Sequence, residues 1–148
     1  MADLYDDDIL LWSERQGELL RRRAAGELVN EAELDWPNIA EEIESVGRSQ
    51  LSAVRSHIVQ AFLHDLKAQA WPLARDAPHW RSEARRARLD AAEAYAPSMR
   101  QRIDIANLYA KALRIMPDRN DDQPALPVPL VCPVTLEELL IAEEPSSS

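Results

Sequence analysis

The sequence predicts an all-α fold: an up-and-down helical bundle of about four main helices, followed by a proline-rich C-terminal strap and a short final helix. Apolar residues recur at helical spacing through most of the first 116 positions. Glycine is scarce, with 3 in 148 residues, and the abundant Ala and Leu favour helix over strand. Five prolines fall between Pro117 and Pro133, which ends the helical pattern there. A chain of this length is expected to form one domain and to hide roughly 70% of its unfolded surface.

The first helix is expected over 5–24. Tyr5, Ile9, Trp12, Gln16 and Leu19 share a stripe, Asp6 to Asp8 suit the start, and Arg21 to Arg23 suit the end. Gly26 stops it. Residues 25–36 form a linker with at most one helical turn. Asn38 then caps a long helix over 38–70, with Glu41 as its capping-box partner and Glu42 in the first turn. At about 1.5 Å per residue that helix is long for a small domain, and Gly47 is where it would bend. "WP" at Trp71 and Pro72 ends it. A third helix over 78–95 carries Trp80, Ala84, Ala87, Ala91 and Ala94 inward, small residues that let a neighbour approach. A fourth over 97–116 has apolar residues on nearly opposite sides and is expected to be the most enclosed. The strap covers 117–148. Within it, Thr135 caps a short helix over 135–142 with Glu138 completing a box, and Ser146 to Ser148 are expected to fray.

The net charge of -9 is uneven: residues 1–47 carry -9, residues 48–116 carry +6, and residues 117–148 carry -6. Acidic arms that neutralise a basic middle explain this most simply. An acidic chain argues against nucleic acid as a partner, because counterion release needs a net basic face. Cys132 is the only cysteine, so no internal disulfide can form and a reducing compartment fits. No stretch approaches the ~18 apolar residues of a membrane span. The expectation is a cytoplasmic protein with no membrane contact and no cofactor.

The stretch "NIAEEIESVGRSQ" holds the residues closest to chemistry: Glu41, Glu44 and Arg48, with His64 further along. Ile39, Ile43 and Val46 lie on one side of the long helix and Glu41, Glu44 and Arg48 nearly opposite; Glu44 and Arg48 form an i, i+4 pair. Leu51, Val59, Phe62 and Leu66 then take over the charged face, whereas His57 and His64 continue the line of Ile39. Either the helix changes course near Gly47, or Glu44 and Arg48 end a buried seam. A metal site is not expected: the chain has no E-x-x-H pair, no H-x-x-x-H and no H-E-x-x-H. Metal-dependent or acid/base catalysis by the region of Glu41, Glu44, Arg48 and His64 is the enzymatic alternative. Cys132, in "VCPV", has no sequence-adjacent activating group. Arg81, Arg85 and Arg88 form a basic line for phosphate or nucleic acid, or more simply a solvated face paired to acids.

"YDDDILLWSERQGELLRR", "NIAEEIESVGRSQ", "FLHDLK" with the "WP" after it, and "CPVTLEELL" occur in an order that resembles the bacterial family called domain of unknown function 29. The resemblance covers nearly the whole chain. It implies a compact all-helical protein and brings no activity, cofactor or catalytic residue with it. Glu41, Glu42, Glu44, Gly47, Arg48, Ser49, His64 and Lys67 match the family pattern. "LVCPVT" departs from it where the family usually has aromatic residues. The reading that follows is a non-enzymatic protein-interaction or regulatory module, acting on a protein partner or as a homodimer.

Overall fold

The computed structural model describes residues 3–141. The fold is all-α, with a single pair of two-residue strands among the described residues. The chain forms two compact units, Met1–Arg48 and Ser49–Ser148.

In the first unit, α1 (Leu4–Asp7) and α2 (Ile9–Ala24) replace the single helix expected over 5–24. Asp8 breaks it. Its backbone leaves the helical region (φ -150°, ψ 85°), and its carboxylate accepts the Leu11 N–H at 3.0 Å, so an aspartate expected inside a first turn caps a new helix instead. Gly26 stops α2 as expected. It takes φ +82°, and the Gly26 and Glu27 N–H groups return to the Arg23 and Arg22 carbonyls. The linker holds one 3-10 turn, Glu31–Glu33, capped by Asn30. Trp12, Leu34 and Ile39 make the small core, and Tyr5 packs edge-on against Trp12 with ring centroids 4.9 Å apart.

α3 (Trp36–Ala70) is helical without interruption through Gly47. From Ser49 onward it supplies the centre of the second unit, where Val54, Ile58 and Leu66 are fully enclosed. α4 (Ala77–Ala94) returns against it, and Ala84, Ala87 and Ala91 are buried on the stripe expected for close approach. Gln50 Nε2 donates to the Ala94 carbonyl at 3.2 Å, and Arg88 Nη1 donates to Asp65 at 2.8 Å, so the two run antiparallel.

The helix expected over 97–116 is two pieces, a 3-10 turn over Pro97–Arg102 and α5 (Ile105–Ile115). Asp104 separates them by the same device as Asp8, its carboxylate accepting the Asn107 N–H. α5 is not enclosed on all sides. Leu108, Tyr109 and Ala112 are buried, while Ala106 and Ile115 face solvent.

The strap opens with a two-residue hairpin, β1 (Arg119–Asn120) and β2 (Gln123–Pro124), turned by Asp121 and Asp122 at positive φ. It is pinned by hydrogen bonds from Trp71 Nε1 to the Gln123 carbonyl (3.0 Å), from Leu126 N–H to the Ala70 carbonyl (3.0 Å) and from the Tyr109 hydroxyl to the Pro129 carbonyl. Thr135 and Glu138 form the expected capping box at the head of α6 (Leu136–Leu140), which buries Leu136 and Leu139. The remainder of the expected 135–142 helix, at Ala142, and Ser146 to Ser148 lie outside the described residues.

Candidate functional site

The start of α3 is set from a distance. The first intrahelical bond runs from Ile39 N–H to the Asp35 carbonyl at 2.9 Å, one turn earlier than a cap at Asn38 would allow. Asp35 is held on three sides. Its Oδ2 accepts from Trp12 Nε1 (3.1 Å) and Asn38 Nδ2 (2.7 Å), and its N–H donates to Gln16 Oε1 (2.9 Å). Asn38 therefore supports the helix start rather than forming it.

With the capping box gone, the glutamates take other partners. Glu42 accepts the Tyr5 hydroxyl at 2.6 Å. Arg48 bonds Glu41 at 2.5 Å and stands 3.7 Å from Glu44. All three charged side chains are more than half exposed, which overturns the buried-seam reading of Glu44 and Arg48. Ser49 is exposed as well, and a Cβ built on Gly47 would meet nothing within 4 Å, so no close approach demands glycine there. Carboxylates open to water beside a guanidinium lack the burial that general acid/base chemistry relies on.

The first unit does contain a groove, of about 600 Å³. Leu11, Trp12 and Leu19 line its apolar part; Asp3, Glu14, Glu18, Glu33 and Asp35 line the rest, with Arg15 the one basic residue. Asp35 and Gln16 are tied into the helix-start network, so this wall is braced. Glu14 and Glu33 have no ion-pair partner among the described residues. A braced apolar floor with surplus carboxylates suits a cationic, partly apolar guest.

His64 lies in the second unit with a separate set of neighbours. It lines a cleft of about 170 Å³ with His57, Gln60, Glu83, Arg86 and Asp90. Burial holds the His64 imidazole below its ordinary value; Lys67 and His79 push the same way, against Glu83 and Asp65. Its Nδ1 is buried without a hydrogen-bond partner. The basic line divides: Arg88 turns onto Asp65, while Arg81 and Arg85 are exposed. Cys132 Sγ donates to the Val134 carbonyl at 3.2 Å, a packing role. Among the described residues no group of three or more His, Cys, Asp or Glu is gathered as a metal ligand set. None of the helices there is long and apolar enough to cross a membrane.

Glu83, Arg86 and Asp90 were not singled out by sequence. Their spacing of i, i+3, i+7 matches that of His57, Gln60 and His64, and this repeat beside the alanine stripe was the available signal.

The model of a family described as Domain of unknown function DUF29 matches residues 4–143. Among solved structures, the chain is similar to an α-helical protein of unknown function from Rhodospirillum rubrum. The two are 26% identical with a TM-score of 0.64, over 97% of this chain and 92% of that one. No curated protein matches.

Proposed function

Because the chain belongs to the domain of unknown function 29 family, whose description names no reaction, we propose that it is a non-enzymatic protein-interaction module that takes up a basic, amphipathic segment of a partner protein, in the cytoplasm. The observation that carries this is the acidic groove of the first unit, where five carboxylates and one arginine surround Leu11, Trp12 and Leu19. An amphipathic helix with apolar anchors and flanking Lys or Arg meets both parts of that surface. Charge steers its approach, and apolar burial supplies the residence time. A second copy of this chain is the alternative occupant, favoured by the net charge of +6 over residues 48–116.

The test is titration of the full chain with a fluorescent Leu/Lys amphipathic peptide and with its Leu/Glu counterpart, at low and moderate salt. Binding of the first only, weakened by salt and by about tenfold in a Glu14→Lys, Glu33→Lys double variant, supports the reading. Equal binding of both peptides, or indifference to the double variant, overturns it. Concentration-dependent doubling of mass in sedimentation, abolished by the same variant, assigns the groove to a second copy instead.

A further inference from the structure

The cleft between α3 and α4 is independent of the acidic groove and has a different character. The antiparallel register brings two stripes of equal spacing face to face: His57, Gln60 and His64 from α3, and Glu83, Arg86 and Asp90 from α4. Arg86 stands one turn from each carboxylate along α4, and no ion pair joins it to either among the described residues. At ~30 Å³ per water molecule, about 170 Å³ is room for roughly five or six waters or one compact solute. His64 Nδ1 is shielded from solvent and unsatisfied, a state that buried polar atoms in folded proteins rarely hold.

The composition of the walls narrows the guest. A simple anion such as phosphate meets Glu83 and Asp90. A dication meets Arg86. A divalent metal finds no assembled ligand set. An apolar molecule leaves the charged walls without water. What remains is a small molecule carrying one cation and one anion. We propose that this cleft binds a compact zwitterion of the amino-acid class, its carboxylate on Arg86 and its ammonium on one of the two carboxylates, Glu83 or Asp90, that flank Arg86. His64 lines the same cleft, so its ring signals report on a guest held there.

The experiment uses the full chain with glycine, L-alanine, L-serine, β-alanine and γ-aminobutyrate as probes, and acetate, ethylammonium, inorganic phosphate and zinc as controls. Binding is read by calorimetry and by the ring-nitrogen NMR signals of His64. The expected result is that at least one zwitterion binds at millimolar concentration or better and moves the His64 signals, while acetate and ethylammonium do neither. Arg86→Gln should weaken that binding by about tenfold to a hundredfold, and Arg85→Gln, one position away and exposed, should leave it unchanged. The proposal is overturned if no zwitterion moves the His64 signals, which leaves the cleft to water. It also fails if Arg86→Gln and wild type bind alike, or if phosphate or zinc binds in place of the zwitterions.

Discussion

Arg48 bonds Glu41, two turns back along α3, at 2.5 Å, although Glu44, one turn back, stands 3.7 Å away. Side chains on a helix lean toward its N-terminus, so a long arginine reaches past the nearer carboxylate. All three are more than half exposed, and such pairs contribute about 0.2–1 kcal/mol. Glu44→Gln should change stability by less than about 0.5 kcal/mol. Glu41→Gln should cost slightly more, and that difference should fade in high salt. Thermal denaturation checks both. A loss above roughly 2 kcal/mol for Glu44→Gln would mean that its carboxylate is sealed from water.

The Asp65–Arg88 pair should behave differently, because each side chain is about two-thirds buried. Burial raises the Asp65 carboxyl above its ordinary value even with Arg88 pulling it down, so desolvation outweighs the attraction. Arg88→Met leaves that carboxylate stranded and should cost roughly 1–3 kcal/mol, less than a fully enclosed pair would lose. Adding Asp65→Asn should recover most of the loss. Urea denaturation of the two single variants and the double provides the cycle, and strictly additive losses would show that the residues do not act as a pair.

Thr135 tests a local device. Its Oγ1 accepts the Glu138 N–H at 3.1 Å while Glu138 Oε1 accepts the Thr135 N–H at 3.3 Å, and the short helix so fixed delivers Leu136 and Leu139 to the core. Thr135→Ala should cost about 1 kcal/mol in chemical denaturation. No measurable loss would mean that the leucines alone hold α6 in place.

These cases mark what sequence could and could not reveal. The Thr135–Glu138 box, the stop at Gly26 and the inward alanines of α4 depend on residues within a turn or two of one another, and all three were legible. The apolar period continues across Asp8 and Asp104 and so predicts helix there; a carboxylate that caps the following residues competes with that period and wins locally. The start of α3 was misplaced for a longer-range reason. Trp12 and Gln16 reach Asp35 from 23 and 19 residues away and hold it as the first carbonyl of the helix. The matching i, i+3, i+7 spacings of α3 and α4 mark the two stripes beside His64, but that they face each other depends on the register of one helix against the other.

Tyr5 offers a spectroscopic check on the first unit. Its hydroxyl donates to Glu42, and that bond, with a smaller contribution from burial, pushes its pKa up to about 12. Ionising Tyr5 means giving up the donor and placing a second negative charge beside Glu42. An alkaline absorbance titration should show one tyrosine ionising near 12, and Glu42→Gln should bring that component down toward the ordinary value of about 10. Tyr5→Phe should remove it. Persistence of the late component in Tyr5→Phe would assign it to Tyr109, whose hydroxyl is also raised, chiefly by burial.

His64 should impose a pH dependence on stability that can be signed in advance. Its imidazole is held below the ordinary 6.5 by burial first and then by Lys67, with His79 adding to the lowering and Glu83 and Asp65 opposing it. Arg86, Asp90 and His57 complete the charged and titratable lining of its cleft. Below about 6.5 the unfolded chain takes up a proton at this position that the folded chain resists. Stability is therefore full above about 6.5 and falls as the pH drops from there toward the lowered native value. His64→Gln has no such proton to resist, so its stability should fall less steeply over that window, by at most one proton's worth of slope. Lys67→Gln should also soften the fall, because it removes the second cause of the lowering. Urea denaturation at a series of pH values between about 5 and 8 measures both. Parallel curves for wild type and His64→Gln would show that the imidazole titrates alike in the folded and unfolded chains.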